Sequence, residues 1–237
     1  MHEYLDTWNM MTYDYYGEWS DRTGYHSNLY DGSHDGKKND LYKYSHSDES
    51  EEGLNGNAAI IQMVSGFGID PSKISLGMAA YGRGFTHVKA NHRDTRFIDK
   101  PFKGVGGASD GEPGMWLYNQ LPIKGSQELF DPDYVSAFCF DPKSKTFVGY
   151  DNVDSVRVKA RYVHDMKLAG GFWWESCGDE HKNNTRSLLY AFTHEIRSLK
   201  KFPNSMYHQT DALKYYIQHY GANEFLSATF NEILNKK

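Results

Sequence analysis

The sequence predicts an α/β protein built on parallel strands, with an antiparallel segment inserted before the last of them. Three observations support this class. Residues 8–81 follow the order strand, helix, strand, which is typical of a βαβ unit with parallel strands and a right-handed crossover. Residues 84–148 replace that alternation with short, Gly-rich apolar runs. From residue 149 onwards the order helix, strand, helix returns, so the parallel sheet is predicted to continue there.

The first third of the chain supplies two strands and one helix. Residues 8–16 are aromatic and β-prone and stop at a glycine, which predicts the first strand. Residues 30–53 are polar and include an acidic run, which is typical of a long loop, and we interpret the acids as solvated surface rather than a metal site. Residues 57–67 place apolar side chains at helical spacing, and residues 74–81 are predicted to form the second strand.

The segment 84–148 is predicted to be antiparallel because its apolar runs are short and closely spaced. Residues 134–140 and 146–148 are two such runs, and the turn-forming sequence Asp-Pro-Lys-Ser lies between them at 141–144. A hairpin is therefore expected at this position.

Helical spacing returns in residues 151–166, for which Asp151 is the expected N-cap. Residues 170–174 are predicted to be a third parallel strand, and residues 188–199 a further helix. The tail after residue 203 is expected to form two short helices.

Composition excludes several classes of function. The 237 residues include 26 Lys and Arg against 31 Asp and Glu, a formal charge of −5, so non-specific nucleic-acid binding is not expected. No apolar run approaches the length of a membrane span. Cys139 and Cys177 lack metal-ligand spacing and leave a single disulfide open. Aromatic residues make up 15% of the chain, which fits either a Tyr-rich core or a groove whose flat rings stack on sugars.

Each of the three predicted parallel strands ends in polar or aromatic residues. The endings are Tyr13 and Asp14 after the first strand, Tyr81 and Arg83 after the second, and Trp174 on the third. In a barrel of parallel strands the carboxyl ends and their loops build the active site, so these side chains are expected to converge on a polar, ring-shaped ligand. The alternative for each is structural: packed tyrosines, a loop-capping aspartate, an arginine paired with a structural acid, and a core tryptophan.

Several segments together resemble family 18 glycoside hydrolases of the chitinase type. The sequence MTYDYYGEW at 11–19, with residues 23–30, is similar to the family's sixth barrel strand and its loop, and residues 76–86 are similar to its seventh. Residues 112–115 resemble part of its insertion domain, and residues 149–151 and 170–175 resemble the approach to and course of its eighth strand. The match runs in order from about residue 4 to residue 196.

The resemblance implies a fold and a partition of the chain. It implies strands six to eight of an incomplete TIM (β/α)8 barrel, with an α+β insertion domain after strand seven. Residues 1–83 would hold strands six and seven with a long loop, residues 84–148 the insertion domain, residues 149–200 the last helix, strand and helix, and residues 201–237 a helical tail.

The resemblance also implies roles. Tyr13 would bond the acetamido oxygen of an N-acetylglucosamine unit, and Asp14 would assist by bonding polar groups of the sugar and its neighbours in the acid network. Trp174 would stack under the distorted sugar and Trp19 would offer a product-side platform. The remaining groove residues implied are Met11, packed beneath the groove, and Tyr81 and Arg83, in contact with it. The partner implied is chitin or a chitooligosaccharide, and neither a cofactor nor a metal is implied.

One departure from the family separates the alternatives. The sequence lacks the family's Asp-x-x-Asp-x-Asp-x-Glu run, whose last Glu is the general acid, and we do not assign that role to Glu175. The expected function is therefore that of the C-terminal part of a chitinase, inactive and poorly folded by itself. The alternatives are a non-catalytic chitin-binding protein, or one half of a split enzyme that pairs with a missing N-terminal half. The family is mostly secreted, whereas the first six residues do not resemble an export signal.

Overall fold

The computed structural model describes residues 4–32, 54–91, 93–109 and 111–196. The acidic part of the predicted loop, the tail 201–237 and the end of the predicted last helix at residue 199 lie outside these residues. No helix among them is both long enough and apolar enough to span a membrane.

The first sheet is parallel and has three strands. Its order is β1 (Trp8–Met10), β2 (Ile74–Ala79) and β10 (Gly170–Trp174), with β2 in the centre. Trp8 pairs with Ile74 on one side, and Trp174 pairs with Ala79 on the other. The near-continuous apolar sequence of β2 fits this central position, since a parallel strand is covered on both faces.

A five-stranded antiparallel sheet follows directly from β2. The strands beyond β2 are β3 (Tyr81–Phe85), β4 (Ala108–Ser109), β5 (Glu112–Pro113), β6 (Met115–Leu117), β7 (Glu128–Asp131), β8 (Ser136–Asp141) and β9 (Thr146–Tyr150). The order of the antiparallel sheet is β6-β3-β9-β8-β7, β4 and β5 form a separate pair, and Ala80 is the single residue between β2 and β3. The predicted hairpin at 141–144 is confirmed, because β8 and β9 pair across it.

The described residues form three α-helices, besides the short 3-10 helices Pro71–Lys73, Tyr118–Gln120 and Ser176–Gly178. Helix α1 (Gly56–Ile61) begins at Asn55, whose side chain accepts a hydrogen bond from the Ala58 amide at 2.8 Å, and continues as a π-helical turn through residues 62–66. Helix α2 (Val153–Asp165) connects the antiparallel sheet to β10, and α3 (Leu188–Ile196) packs along α2.

Three local predictions are corrected. The first strand ends at Met10 rather than residue 16, because the chain turns directly after it: the Thr12 amide donates to the Met10 carbonyl at 2.8 Å, and Asp14 then adopts a left-handed backbone with φ of 62°. The second strand ends at Ala79, and Tyr81 begins the antiparallel sheet. Asn152, not Asp151, is the N-cap of α2, because Asn152 bonds the Ser155 amide while the Asp151 carboxylate is taken by a buried lysine.

The domain boundaries at residues 83, 148 and 200 remain predictions. The antiparallel sheet itself starts at Tyr81, two residues before the first boundary, and ends at Tyr150. What matters for the site is that β2 and β3 are consecutive, so the end of the parallel sheet and the start of the antiparallel one lie side by side.

Candidate functional site

The carboxylate of Asp14 is the centre of the candidate site. The Tyr81 hydroxyl donates to Asp14 Oδ1 at 2.7 Å, and the Arg83 Nε donates to the same oxygen at 2.8 Å. Tyr81 and Arg83 are both on β3 and are 1% and 5% exposed. Among the described residues, all hydrogen bonds and ion pairs of this carboxylate go to Oδ1 and none goes to Oδ2.

Arg83 is held between two acids. Its Nη1 donates to Glu112 Oε1, from the short strand β5. Its guanidinium also lies 5.1 Å from the ring centre of Trp19 and 5.3 Å from that of Tyr81, both at cation–π distance. Glu112 therefore links the inserted antiparallel segment, through Arg83, to Asp14 in the segment that follows β1.

These contacts fix the charge state of the site. Burial acts to raise the pKa of the Asp14 carboxyl, but the neighbouring His26 and the hydrogen bonds from Arg83 and Tyr81 outweigh burial and hold that pKa well below the usual range. Burial and the Asp14 charge raise the pKa of the Tyr81 hydroxyl. Asp14 is thus an ionised acceptor at neutral and mildly acidic pH, and it cannot serve as a proton donor there.

Tyr13 lies beside this cluster. Its ring makes edge-to-face contacts with Tyr81 and Phe172, each at 6.2 Å between ring centres, and 9% of the residue is exposed. Burial, together with the Asp14 charge, raises the pKa of the Tyr13 hydroxyl, so the hydroxyl keeps its proton and can donate. Thr12 anchors the segment by donating to the Gly77 carbonyl of β2 at 2.7 Å.

The two tryptophans of β10 point to opposite faces of the sheet, as the alternation of a strand predicts. Trp173 packs edge-to-face on Phe192 of α3 at 6.0 Å. Trp174 is 55% exposed, and it shares its sheet face with Phe172, which touches Tyr13. The Trp174 carbonyl accepts the Ala80 amide at 2.7 Å, so the end of β10 is fixed beside the start of β3.

The other predicted groove residues differ in burial. Trp19 is 54% exposed and borders a cavity of about 620 Å³ whose walls include Tyr16, Tyr25 and Tyr134. Met11, expected to pack beneath the groove, is instead 72% exposed, because it follows the last residue of β1 and leaves the sheet. The structure therefore groups Tyr13, Asp14, Tyr81 and Arg83, with Trp19 over Arg83, and places Met11 on the surface.

Glu175 faces a separate cavity. That cavity, of about 270 Å³, is lined by Trp173, Asp179 and Glu180, on the α3 side of β10. No cluster of three or more metal-ligating side chains occurs in the part of the chain that the structure describes.

Two residues of the site were not predicted. Glu112 reaches Arg83 from 29 positions away, and His26 contacts both Asp14 and the Tyr81 carbonyl. Both occur in segments that carry the family resemblance, and that was the signal available, but neither has a sequence pattern that indicates its partner.

Comparisons of the sequence with a family model and with curated proteins all point to the same family. The sequence model described as glycosyl hydrolases family 18 matches residues 1–179. The sporulation-specific chitinase 2 of Saccharomyces cerevisiae is 44% identical over 99% of this chain and 44% of its own length. Endochitinase 1 of Metarhizium robertsii is 29% identical over 86% of this chain, again 44% of its own length. The chain thus spans less than half the length of these curated relatives.

Solved structures agree on the fold. A class V chitinase from Nicotiana tobaccum superposes with a TM-score of 0.63 at 24% identity, covering 83% of this chain and 50% of its own. A GH18 chitinase from Cycas revoluta, solved in complex with (GlcNAc)3, superposes with a TM-score of 0.60 at 24% identity, covering 82% of this chain and 47% of its own.

Proposed function

This chain belongs to glycosyl hydrolases family 18 and, from that premise, we propose that it carries the sugar-orienting part of a chitinase active site. The substrate is a β-1,4-linked N-acetylglucosamine polymer or oligomer, cleaved with retention by the substrate-assisted route. The observation that carries the proposal is the ionised Asp14 carboxylate, fixed through Oδ1 beside the neutral Tyr13 hydroxyl at the end of a parallel sheet.

The reaction relies on the substrate's own acetamido group. Its oxygen attacks the anomeric carbon as the glycosidic bond breaks, and an oxazolinium ion forms, so that this family departs from the two-carboxylate scheme. Positive charge develops on the sugar while a separate acid protonates the leaving oxygen. The protein therefore has to hold the acetamido group in line and to place negative charge near it.

Tyr13 and Asp14 suit these two tasks. The Tyr13 hydroxyl keeps its proton, so it can donate to the acetamido oxygen and orient it. The Asp14 Oδ2 atom has no hydrogen bond from the described residues, so it can accept from the acetamido N–H and stabilise the cationic ring. Tyr81 and Arg83 prevent the carboxylate from rotating away, because both donate hydrogen bonds to its other oxygen, Oδ1.

Trp174 provides the floor for the sugar. An exposed indole at the end of β10 presents a flat apolar face, on the same side of the sheet as Tyr13's neighbour Phe172. Trp19, over Arg83, would extend that surface toward the product side.

The general acid is not among the groups described above. Asp14 is ionised by its surroundings, and Glu175 lines a cavity on the α3 side of β10. The sequence contains no Asp-x-x-Asp-x-Asp-x-Glu run. We infer that the acid belongs to a part of the barrel outside these 237 residues, with β1, β2 and β10 corresponding to strands six, seven and eight. The relatives' greater length and the two outer strands of the parallel sheet support this inference.

Sugar binding by the chain tests the proposal. Isothermal titration with chitotetraose should give measurable binding to the wild-type chain, with native circular dichroism verified first. Trp174→Ala should weaken binding about tenfold, because a stacking contact contributes up to about 1.5 kcal/mol. Asp14→Asn should also weaken binding, since the amide replaces the negative charge with a group that donates.

A matched control separates the site from general damage. Phe67 is 61% exposed beyond α1 and lies outside the site, so Phe67→Ala should bind like the wild type. If folded wild-type chain does not bind, or if both alanine variants weaken binding equally, the proposal fails.

A further inference from the structure

His26 is a buried histidine that contacts both Asp14, which follows β1, and Tyr81, which begins β3. Its side chain is fully buried, and its ring lies 4.9 Å from the ring of Tyr81. One ring nitrogen, Nε2, lies 3.0 Å from the Tyr81 carbonyl oxygen. The other, Nδ1, accepts the Asp14 amide at 3.4 Å and lies 3.7 Å from Asp14 Oδ1.

These partners determine the tautomer. A backbone carbonyl can only accept, so Nε2 must carry a hydrogen and donate it to Tyr81. The backbone amide of Asp14 can only donate, so Nδ1 must present its lone pair. Both contacts are satisfied together only by neutral histidine protonated at Nε2.

The backbone that His26 supports is strained. Asp14 has φ of 62°, in the left-handed region that residues other than glycine seldom adopt. The His26 side chain takes the Asp14 amide, and the His26 carbonyl takes the Tyr15 amide at 3.0 Å. One residue therefore satisfies two successive amides of the turn that aims the Asp14 side chain.

We propose that neutral His26 is the positioning residue for Asp14, and that its protonation releases this turn and weakens sugar binding. In the protonated form Nδ1 carries a hydrogen, so the Asp14 amide loses its acceptor and Nδ1 turns to the Asp14 carboxylate instead. The inference rests on the proposed function, because it takes Asp14 as the group that holds the sugar.

The charged groups near His26 determine how its protonation would affect sugar binding. Among the residues that the structure describes, Asp14 and Tyr81 are the titratable groups recorded against the ring; Arg83 shares Asp14 Oδ1, and Glu112 pairs with Arg83. A third donor at Oδ1 would compete with Tyr81 and Arg83 for the same oxygen. The carboxylate would then shift relative to Tyr13, and Oδ2 would leave the position that a sugar requires.

Glutamine at position 26 separates positioning from titration. Its amide N–H can donate to the Tyr81 carbonyl and its oxygen can accept the Asp14 amide, as the neutral imidazole does, but it does not titrate. His26→Gln is therefore the neutral mimic, and His26→Leu removes both contacts. His164, exposed near the end of α2, provides the matched control His164→Gln.

The first measurement is nitrogen NMR of the full chain with labelled histidine, with the His26 signal identified by its loss in His26→Gln. We expect the Nε2–H tautomer at pH 8, with Nδ1 unprotonated. A signal from the Nδ1–H tautomer, or from a doubly protonated ring at pH 8, would overturn the proposal. This measurement does not depend on sugar binding, so it still decides if the proposed function fails.

The second measurement is chitotetraose affinity between pH 8 and pH 5. The wild type and His164→Gln should lose about 3- to 10-fold in affinity toward pH 5, the effect of one lost hydrogen bond. The affinity of His26→Gln should not change with pH and should exceed at pH 8 that of a folded His26→Leu, which should bind weakly throughout. An equal slope in His26→Gln and wild type, or a folded His26→Gln that binds no better at pH 8 than a folded His26→Leu, would refute the assignment.

Discussion

The Lys159 ammonium group lies 2.7 and 2.6 Å from the two carboxylate oxygens of Asp151, with both side chains almost completely buried. The lysine also donates to the Ser27 carbonyl at 2.5 Å, and Ser155 donates to Asp151 at 2.7 Å. These bonds therefore connect Lys159 on α2 with Asp151, the residue after β9, and with the loop that contains Ser27. Burial lowers the pKa of Lys159, and the Asp151 charge opposes that change.

Removing one member of this pair should be strongly destabilising. Lys159→Met leaves a buried carboxylate without a counter-charge, which costs about 3–5 kcal/mol in comparable cases. The double variant with Asp151→Asn as well should recover part of the loss, because no buried charge remains. Urea denaturation measures both; a single variant that is no less stable than the double would contradict the assignment of a paired buried charge.

Acid stability should depend on Asp14. Its pKa is lower in the folded chain than the value of about 3.9 expected when unfolded, so below that pH the unfolded chain binds more protons. The stabilisation by Asp14 is therefore complete above about pH 4 and is lost as the pH falls through the folded-state pKa.

Asp14→Asn should accordingly flatten the loss of stability between about pH 4 and pH 2. Urea midpoints at half-unit pH steps measure the slope. The exposed Asp165, at the end of α2, provides the control Asp165→Asn, which should keep the wild-type slope. Parallel profiles for Asp14→Asn and wild type would show that the donors Tyr81 and Arg83 do not hold the carboxylate ionised.

The sequence was sufficient to predict the parallel strands and the meeting of their ends. Apolar periodicity identified β2 and β10, and the polar endings identified Tyr13, Asp14, Tyr81 and Arg83, because the carboxyl ends of parallel strands lie at one edge. The alternation of side chains along a strand explains why the two tryptophans of β10 face opposite sides.

What the sequence could not supply were contacts made by single residues across long separations. Nothing near Glu112 indicates that it pairs with Arg83, and nothing near His26 indicates that it supports a turn 12 residues earlier. Asp151 and Asn152 are both good N-caps by residue type. Only the buried Lys159, eight residues further on, decides that Asp151 is occupied elsewhere.

Gly77 should be required for the approach of the first strand to the second. A Cβ at this position would lie 2.3 Å from the Met10 carbonyl oxygen and 2.9 Å from the Tyr13 ring, so one of them would have to move. Gly77→Ala should cost about 1–3 kcal/mol of stability and should weaken chitotetraose binding through Tyr13.

Gly56 is the matched control, because a Cβ there meets no atom nearer than 3.5 Å and the residue lies in α1. Gly56→Ala should be neutral or slightly stabilising. Thermal unfolding and titration measure both variants. Equal stability of the two alanine variants would show that the close approach of β1 and β2 does not depend on Gly77.

The isolated chain should not hydrolyse chitin. Loss of a general acid commonly removes about 10²–10⁴-fold in rate. In addition, the parallel sheet of the described residues has three strands, so the proposal leaves to the rest of the barrel part of the task of holding the acetamido group in line. Incubation with a labelled chitooligosaccharide should therefore give no product above background. Under the proposed correspondence of β1, β2 and β10 to strands six, seven and eight, the N-terminal half of the yeast relative bears the remaining strands, so its addition should restore turnover. That turnover should fall in Tyr13→Phe and Trp174→Ala but not in Phe67→Ala.

The contradicting outcome is hydrolysis by the chain alone that is abolished in Trp174→Ala. It would mean that a proton donor lies within these residues, and the assignment of the acid to the rest of the barrel would have to be abandoned.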